Sequence, residues 1–225
     1  MNQSLTEIAY ILDRSGSMGR HRQAAIAGYN DFLQQQKTLP GQANLSLVLF
    51  SNHCTIPETA TPISEAPELN NETYIPEGAT ALLDAIGETI NALGRKLAAT
   101  PDEARPGKVI VVVFTDGEEN SSRHFTWTDV SSSIQHQQKV YSWEFIFLGA
   151  NQDAIATASN MRMDTRNSSN MEFSAVGISS AKKAMSRKVT AMRMSSIGVE
   201  TDDAAASMSE LVADETEASK KITEL

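Results

Sequence analysis

The sequence predicts an α/β fold, a doubly wound and mostly parallel sheet flanked by helices, with an acidic C-terminal tail. Three observations carry this reading. Ile8-Ala9-Tyr10-Ile11-Leu12 and Val109-Ile110-Val111-Val112-Val113-Phe114 are unbroken apolar runs, as strands covered on both faces require. Such runs alternate with longer segments whose apolar residues recur at helical spacing. Both runs also end in short polar turns carrying an aspartate, at the strand ends where open α/β sheets hold their ligands.

Taken in order, a strand over 6–13 leads to a helix over 18–38, where Ala24, Ala25, Ile26, Tyr29, Phe32 and Leu33 recur near one face until Pro40-Gly41 stops it. The next strand covers 45–50. Pro57, Pro62, Pro67 and Pro76 disfavour central structure over 51–76 and predict an edge strand with a long connection. A helix over 80–99 follows, and Pro101 and Pro106-Gly107 mark the loop before the strand at 108–115. A short helix at 128–139, a strand at 143–148, a helix at 153–161, an edge strand at 169–173 and a helix at 175–195 complete the alternation. There is no internal repeat.

At 225 residues the simplest organisation is one α/β domain over 1–196 and a tail over 197–225. The tail has eight acids against Lys220 and Lys221, so it carries −6 of the chain's net −9. Its apolar content is mostly alanine, which predicts a solvated, flexible segment; the competing reading is a docking tail capable of weak self-association through its acids. The acidic balance argues against a nucleic-acid partner. No run approaches a membrane span, and residues 1–7 do not read as a secretion signal. Cys54 is the single cysteine, which excludes an internal disulfide. Together these predict a cytoplasmic protein without membrane or nucleic-acid partners.

The chemistry starts at Asp13-Arg14-Ser15-Gly16-Ser17. One carboxylate and two hydroxyls are gathered within a turn between strand and helix, a hard all-oxygen donor set suited to Mg²⁺ or Mn²⁺. Taken alone, the same pattern equally serves as a turn or helix cap. Two further segments add to it. Pro76-Glu77-Gly78-Ala79-Thr80 delivers Thr80 to the start of a helix, and Thr115-Asp116-Gly117 places a second carboxylate at a second strand end.

This set, Asp-x-Ser-x-Ser, then Gly-x-Thr before a helix, then Thr-Asp-Gly at a strand end, resembles the von Willebrand factor A family and its metal-ion-dependent adhesion site. The resemblance covers about residues 5–195, with the motifs in the family's order. It implies a Rossmann-like sheet in which Asp13, Ser15, Ser17, Thr80 and Asp116 surround a divalent cation directly or through water. It also implies a protein partner supplying a Glu or Asp to the remaining position, and the expected protein is a bacterial one. The expected function is therefore an intracellular, metal-dependent protein-interaction module and not an enzyme.

Two enzymatic alternatives stand beside it. A serine hydrolase would use Ser17 in a turn that loosely resembles a nucleophile elbow, with Asp116 and His124 or His136 following; the first glycine of that motif is missing. Metal-dependent phosphoryl transfer would use the strand-end Asp13 as nucleophile, but the turn supplies hydroxyls where a second acid or base would be useful. His53-Cys54 has no second pair at zinc-like spacing. Arg14, Arg20, His21 and Arg22 are candidates for steering an acidic partner, and Glu118, Glu119, Asn120, Asn151 and Gln152 for selecting it.

Overall fold

Strand β1 (Asn2–Asp13) is the centre of the molecule, paired in parallel with β2 (Gln42–Phe50) on one side and β5 (Pro106–Thr115) on the other. The computed structural model describes residues 1–150 and 153–223. Beyond β5 lie β6 (Glu144–Gly149) and the short β7 (Ser168–Asn170), both parallel. The proline-rich connection supplies two-residue strands, β3 (Cys54–Thr55) and β4 (Thr61–Pro62), both antiparallel to β2. The sheet order is β3-β2-β1-β5-β6-β7, with β4 also on β2. The predicted doubly wound, mostly parallel sheet is thus present, and its irregular edge falls where the prolines put it.

Six helices cover the two faces among the described residues: α1 (Arg22–Lys37), α2 (Leu82–Ala99), α3 (Trp127–Tyr141), α4 (Ala154–Asn160), α5 (Ala175–Ser196) and α6 (Met208–Thr223). The two-residue period of the strands sorts their side chains into two cores. Ile8, Tyr10, Leu12, Ile110, Val112 and Phe114 face α1, α5 and α6, whereas Ala9, Ile11, Val109, Val111 and Val113 face α2, α3 and α4. This is why the strand sequences show no polar alternation. No described helix is long and apolar enough to cross a membrane.

Several predicted boundaries move: the first two strands begin earlier, at Asn2 and Gln42, and the strand expected at 169–173 is Ser168–Asn170. The first helix begins as a tight 3-10 turn over Gly16–His21 before α1, because the chain must close its turn immediately after Asp13, with the Met18 N–H donating to the Ser15 carbonyl. The larger correction concerns residues 197–225. The chain continues through a 3-10 turn at Asp202–Ala204 into α6, whose Met208 and Leu211 are completely buried in the α1/α5 core. Arg187 on α5 meets Asp203 at 2.6 Å, Glu215 at 3.0 Å and Asp214 at 3.7 Å. Three of the eight acids of the expected free tail are therefore answered by Arg187, and the segment packs as part of the domain instead of standing free of it. Composition misled because few apolar residues suffice when they share one helical face. A start signal was nonetheless present: the Ser207 Oγ accepts from the Glu210 N–H, and the Glu210 carboxylate accepts from the Ser207 N–H.

Helix α5 is nearly enclosed and brings cations with it. Lys182 is 2 % exposed, donates to the Ala25 carbonyl at 2.8 Å and lies 4.4 Å from the Phe114 ring centroid. Gly28 on α1 leaves the space its stem occupies. Burial pushes the Lys182 ammonium down to about 7, with the charge of Asp31 opposing. Its pKa is lower folded than unfolded, so this group's contribution to stability rises with pH between about 7 and 10. Lys182→Met is expected to stabilise the protein at pH near 6 by about 1–3 kcal/mol. The advantage should shrink by about pH 9 in denaturant titrations, where the native lysine folds uncharged; a pH-independent difference would contradict the assignment.

Candidate metal centre

The parallel registers decide which polar residues share a rim. Leu12 is opposite Phe114 and Asp13 is opposite Phe50, so the chain emerging from β1 and the chain emerging from β5 leave the sheet side by side. The Thr115 hydroxyl donates to Asp13 Oδ2 at 2.6 Å, and the Ser15 N–H donates to Asp13 Oδ1 at 2.7 Å. Asp13 is thereby fixed in one rotamer, fully buried. Across the rim, the Ser17 Oγ donates to Asp116 Oδ1 at 2.9 Å, the Ser15 Oγ lies 3.5 Å from the same atom, and the two serine oxygens are 3.1 Å apart.

Thr80 reaches the rim through a loop zipped to both neighbouring strands. Gly16 N–H donates to the Gly78 carbonyl at 2.9 Å, Glu77 N–H to the Arg14 carbonyl at 2.8 Å, and Ala81 N–H to the Ser51 carbonyl at 2.9 Å. Gly78 has φ of 77°, and a side chain there would collide with the Asn52 amide, which accepts from the Ala79 N–H at 2.8 Å. The Thr80 N–H donates to Asn120 Oδ1 at 2.9 Å, and the Thr80 hydroxyl would stand 3.0 Å from a Cβ placed on Gly117. Thr80 is 3 % exposed and sits beside the Asp116 turn. All five sequence-predicted residues therefore converge on one end of the sheet.

Electrostatics strain the pair of carboxylates. Burial pushes Asp13 up to about 6, against the hydrogen bonds from Thr115 and Ser15 and with help from the charge of Asp116. Burial likewise raises Asp116, opposed by its bond from Ser17 and by nearby His21. Two acids taken out of water beside one another favour a compensating positive charge between them. The donor set, two carboxylates with hydroxyls, is made of hard oxygens. Among the described residues no group of three His, Cys, Asp or Glu side chains is placed to hold a metal ion, so a soft-donor zinc cluster is not formed.

Several residues that support the rim carry no obvious signal in the sequence. Tyr74, fully buried, donates its hydroxyl to the Asp13 carbonyl at 2.5 Å. Asp84 accepts the N–H groups of Arg123, His124 and Phe125 at 2.8–2.9 Å, which holds its carboxyl below the usual range despite its burial and fastens the loop after Asp116. Only Thr115 was legible in retrospect, because a residue preceding Asp116 in β5 must lie beside Asp13 in β1.

Other expectations are redistributed. Glu119 caps the start of α2 through the Leu83 N–H at 2.9 Å, and Asn120 holds Thr80, so both are structural; Glu118 stays exposed. Asn151 and Gln152 lie outside the described residues. Arg14 pairs with Glu77 at 2.9 Å and Arg22 binds the Tyr74 carbonyl at 2.9 Å, which commits both to the loop carrying Thr80. His124 faces Glu88 at 3.4 Å and His136 stacks edge-on with Tyr141, so neither hydrogen-bonds Ser17 as a serine hydrolase would require.

A model of the von Willebrand factor type A domain matches residues 7–219. The chain belongs to this family. Von Willebrand factor type A domains of known structure share the fold. One from Catenulispora acidiphila superposes with a TM-score of 0.55 at 15 % identity, covering 83 % of this chain and 42 % of that one. Proximal thread matrix protein 1 from the mussel byssus, solved with a zinc-occupied MIDAS motif, gives 0.54 at 17 % identity, covering 82 % and 46 %. The PilB minor pilin from Streptococcus sanguinis gives 0.55 at 12 % identity, covering 84 % and 61 %. The chain thus spans less than two thirds of the length of each. A comparison with curated proteins found no match.

Proposed function

We propose that this von Willebrand factor type A domain is a metal-dependent protein-interaction module acting in the cytoplasm. In this reading Asp13, Ser15, Ser17, Thr80 and Asp116 hold Mg²⁺ or Mn²⁺, and a Glu or Asp side chain of a protein partner completes the site. The observation that carries it is the meeting of Ser17 and Asp116, 99 positions apart in the chain and 2.9 Å apart in space, beside the buried Asp13. Such convergence of two raised carboxylates and hydroxyls is unneeded for packing and suits a hard cation. The zinc in the mussel protein's motif supports a divalent ion in this family, while the all-oxygen donors here favour Mg²⁺ or Mn²⁺.

The chain's own residues divide the work. Thr115 and the Ser15 N–H orient Asp13, the hydroxyl of Ser17 orients Asp116, and Asn120 sets the backbone of Thr80. When bound, the cation supplies an electrophilic position that an anionic oxygen can fill. Among the described residues the Ser17 hydroxyl bonds Ser15 and Asp116 and no histidine, which supports a binding role over acyl transfer. Neither nucleic acid nor membrane is a partner in this reading.

Affinity capture with and without Mg²⁺, using Asp13→Ala as control, tests the proposal. Partners retained by the wild type in Mg²⁺ should be lost on chelation and absent with Asp13→Ala. Retention of the same proteins under all three conditions would refute a metal-mediated contact.

A further inference from the structure

A polar cavity lies at the end of the sheet away from the metal rim. Lys108 near the start of β5 is eight residues from Asp116, which places it about 26 Å from the metal rim along the strand. There, a cavity of about 240 Å³ is lined by Lys108, Glu144, Asp164, Arg166, Asn167 and Lys188, and α5 and the turn at Asp202–Ala204 complete its wall. That volume is below the roughly 300–1,000 Å³ of pockets for drug-sized ligands, which points to a small polar ligand.

Its charges are not balanced pair by pair. Lys108 is matched to Glu144 at 3.4 Å. Arg166 donates to the Ala205 carbonyl at 2.6 Å and Lys188 to the Ala206 carbonyl at 2.6 Å, and among the described residues neither has a carboxylate within ion-pair distance. Asp164 spends one oxygen on the Arg166 backbone N–H at 2.9 Å. Lys188 is 5 % exposed, and its ammonium is held below its ordinary range by burial and then by the charge of Arg166, with the charges of Glu144, Asp164 and Asp203 opposing. The exposed Arg166 and the buried Lys188 therefore share one polar recess with Glu144 and Asp164, a mixed lining that suits a ligand carrying both an anionic group and hydroxyls. Glu144 and Asp164 on the same wall disfavour a bare polyanion and offer acceptors to hydroxyl groups.

We propose that this cavity binds a small phosphate monoester bearing hydroxyl groups, with Arg166 and Lys188 receiving the phosphate and Glu144 and Asp164 the hydroxyls. The carbonyls that Arg166 and Lys188 hold belong to the segment leading into α6, so the recess borders that segment. The site is separate from the metal centre and stands whether or not the metal reading does.

The test is calorimetry on the full-length protein in metal-free buffer, titrated with glycerol phosphate, inorganic phosphate and glycerol. Glycerol phosphate should bind, inorganic phosphate more weakly, and glycerol not at all. Arg166→Gln should weaken glycerol phosphate at least tenfold, Arg166→Lys should restore most of the affinity, and Asp13→Ala should leave it unchanged. Circular dichroism of each variant establishes that it is folded. No heat from either phosphate at millimolar concentration, or equal affinity in wild type and Arg166→Gln, overturns the proposal. Inorganic phosphate binding as tightly as the ester overturns the monoester assignment, and loss of binding in Asp13→Ala would place the anion at the metal rim instead.

Discussion

Asp13→Asn is expected to abolish divalent-metal binding while leaving the metal-free protein more stable at neutral pH than the wild type. The two effects share one cause. Burial and the charge of Asp116 raise Asp13 from 3.8 to about 6, equivalent to about 3 kcal/mol of unfavourable ionisation at pH 7 in the absence of metal. A neutral amide of the same shape removes that cost and keeps an acceptor for one of the donors now satisfied by the carboxylate. The sign follows from linkage. A carboxyl with a higher pKa folded than unfolded holds its proton longer in the native state, so the metal-free protein loses stability from this group as pH rises between about 4 and 6. Metal affinity should run the other way, falling as pH drops below about 6, because the ligand must be ionised. Thermal melts with and without Mg²⁺ at about pH 5 and 7.5 test both. A Mg²⁺-induced rise in Tm that survives in Asp13→Asn, or that is as large at the lower pH, would remove Asp13 from the site.

Truncation after Ile197 should destabilise the domain strongly. The segment removed buries Met208 and Leu211 completely, worth about 4–5 kcal/mol together by transfer of apolar surface. It also strips Arg187 of Asp203, Asp214 and Glu215 and leaves Lys188 and Arg166 without their carbonyl acceptors. Against the usual stability of about 5–15 kcal/mol, a fall in Tm of about 10 °C or more is expected. The milder double substitution Met208→Ala with Leu211→Ala should reproduce most of it, and by the same route. An unchanged melting temperature in both would mean that α6 contributes nothing to the core.

Much of this molecule is visible along its sequence because the relevant signals are short-ranged. The unbroken apolar runs at Ile8–Leu12 and Val109–Phe114 state that both faces of those strands are covered. Asp13, Ser15 and Ser17 lie within one turn, so their proximity needs no tertiary information. Helix α6 escaped because its composition is acidic and alanine-rich, and only the placement of Met208, Leu211 and Val212 on one face, with the Ser207–Glu210 cap before it, distinguishes it from a solvated tail. Asn120 and Glu119 were legible as loop residues but not in their roles, since hydrogen bonds to Thr80 and Leu83 depend on where two loops meet.

The sequence by itself determined the alternating α/β order, the buried centre of the sheet and the identity of the oxygen donors, because periodicity and residue chemistry are local properties. The tertiary structure alone decided that Thr115 clamps Asp13, that Asp116 meets Ser17, that the acids near the C-terminus answer Arg187, and that Arg166 and Lys188 share a recess at the far edge. Those contacts join residues tens to a hundred positions apart. Their formation depends on strand register and on which helix covers which face, and both are set by the packing of the whole core rather than by any single segment.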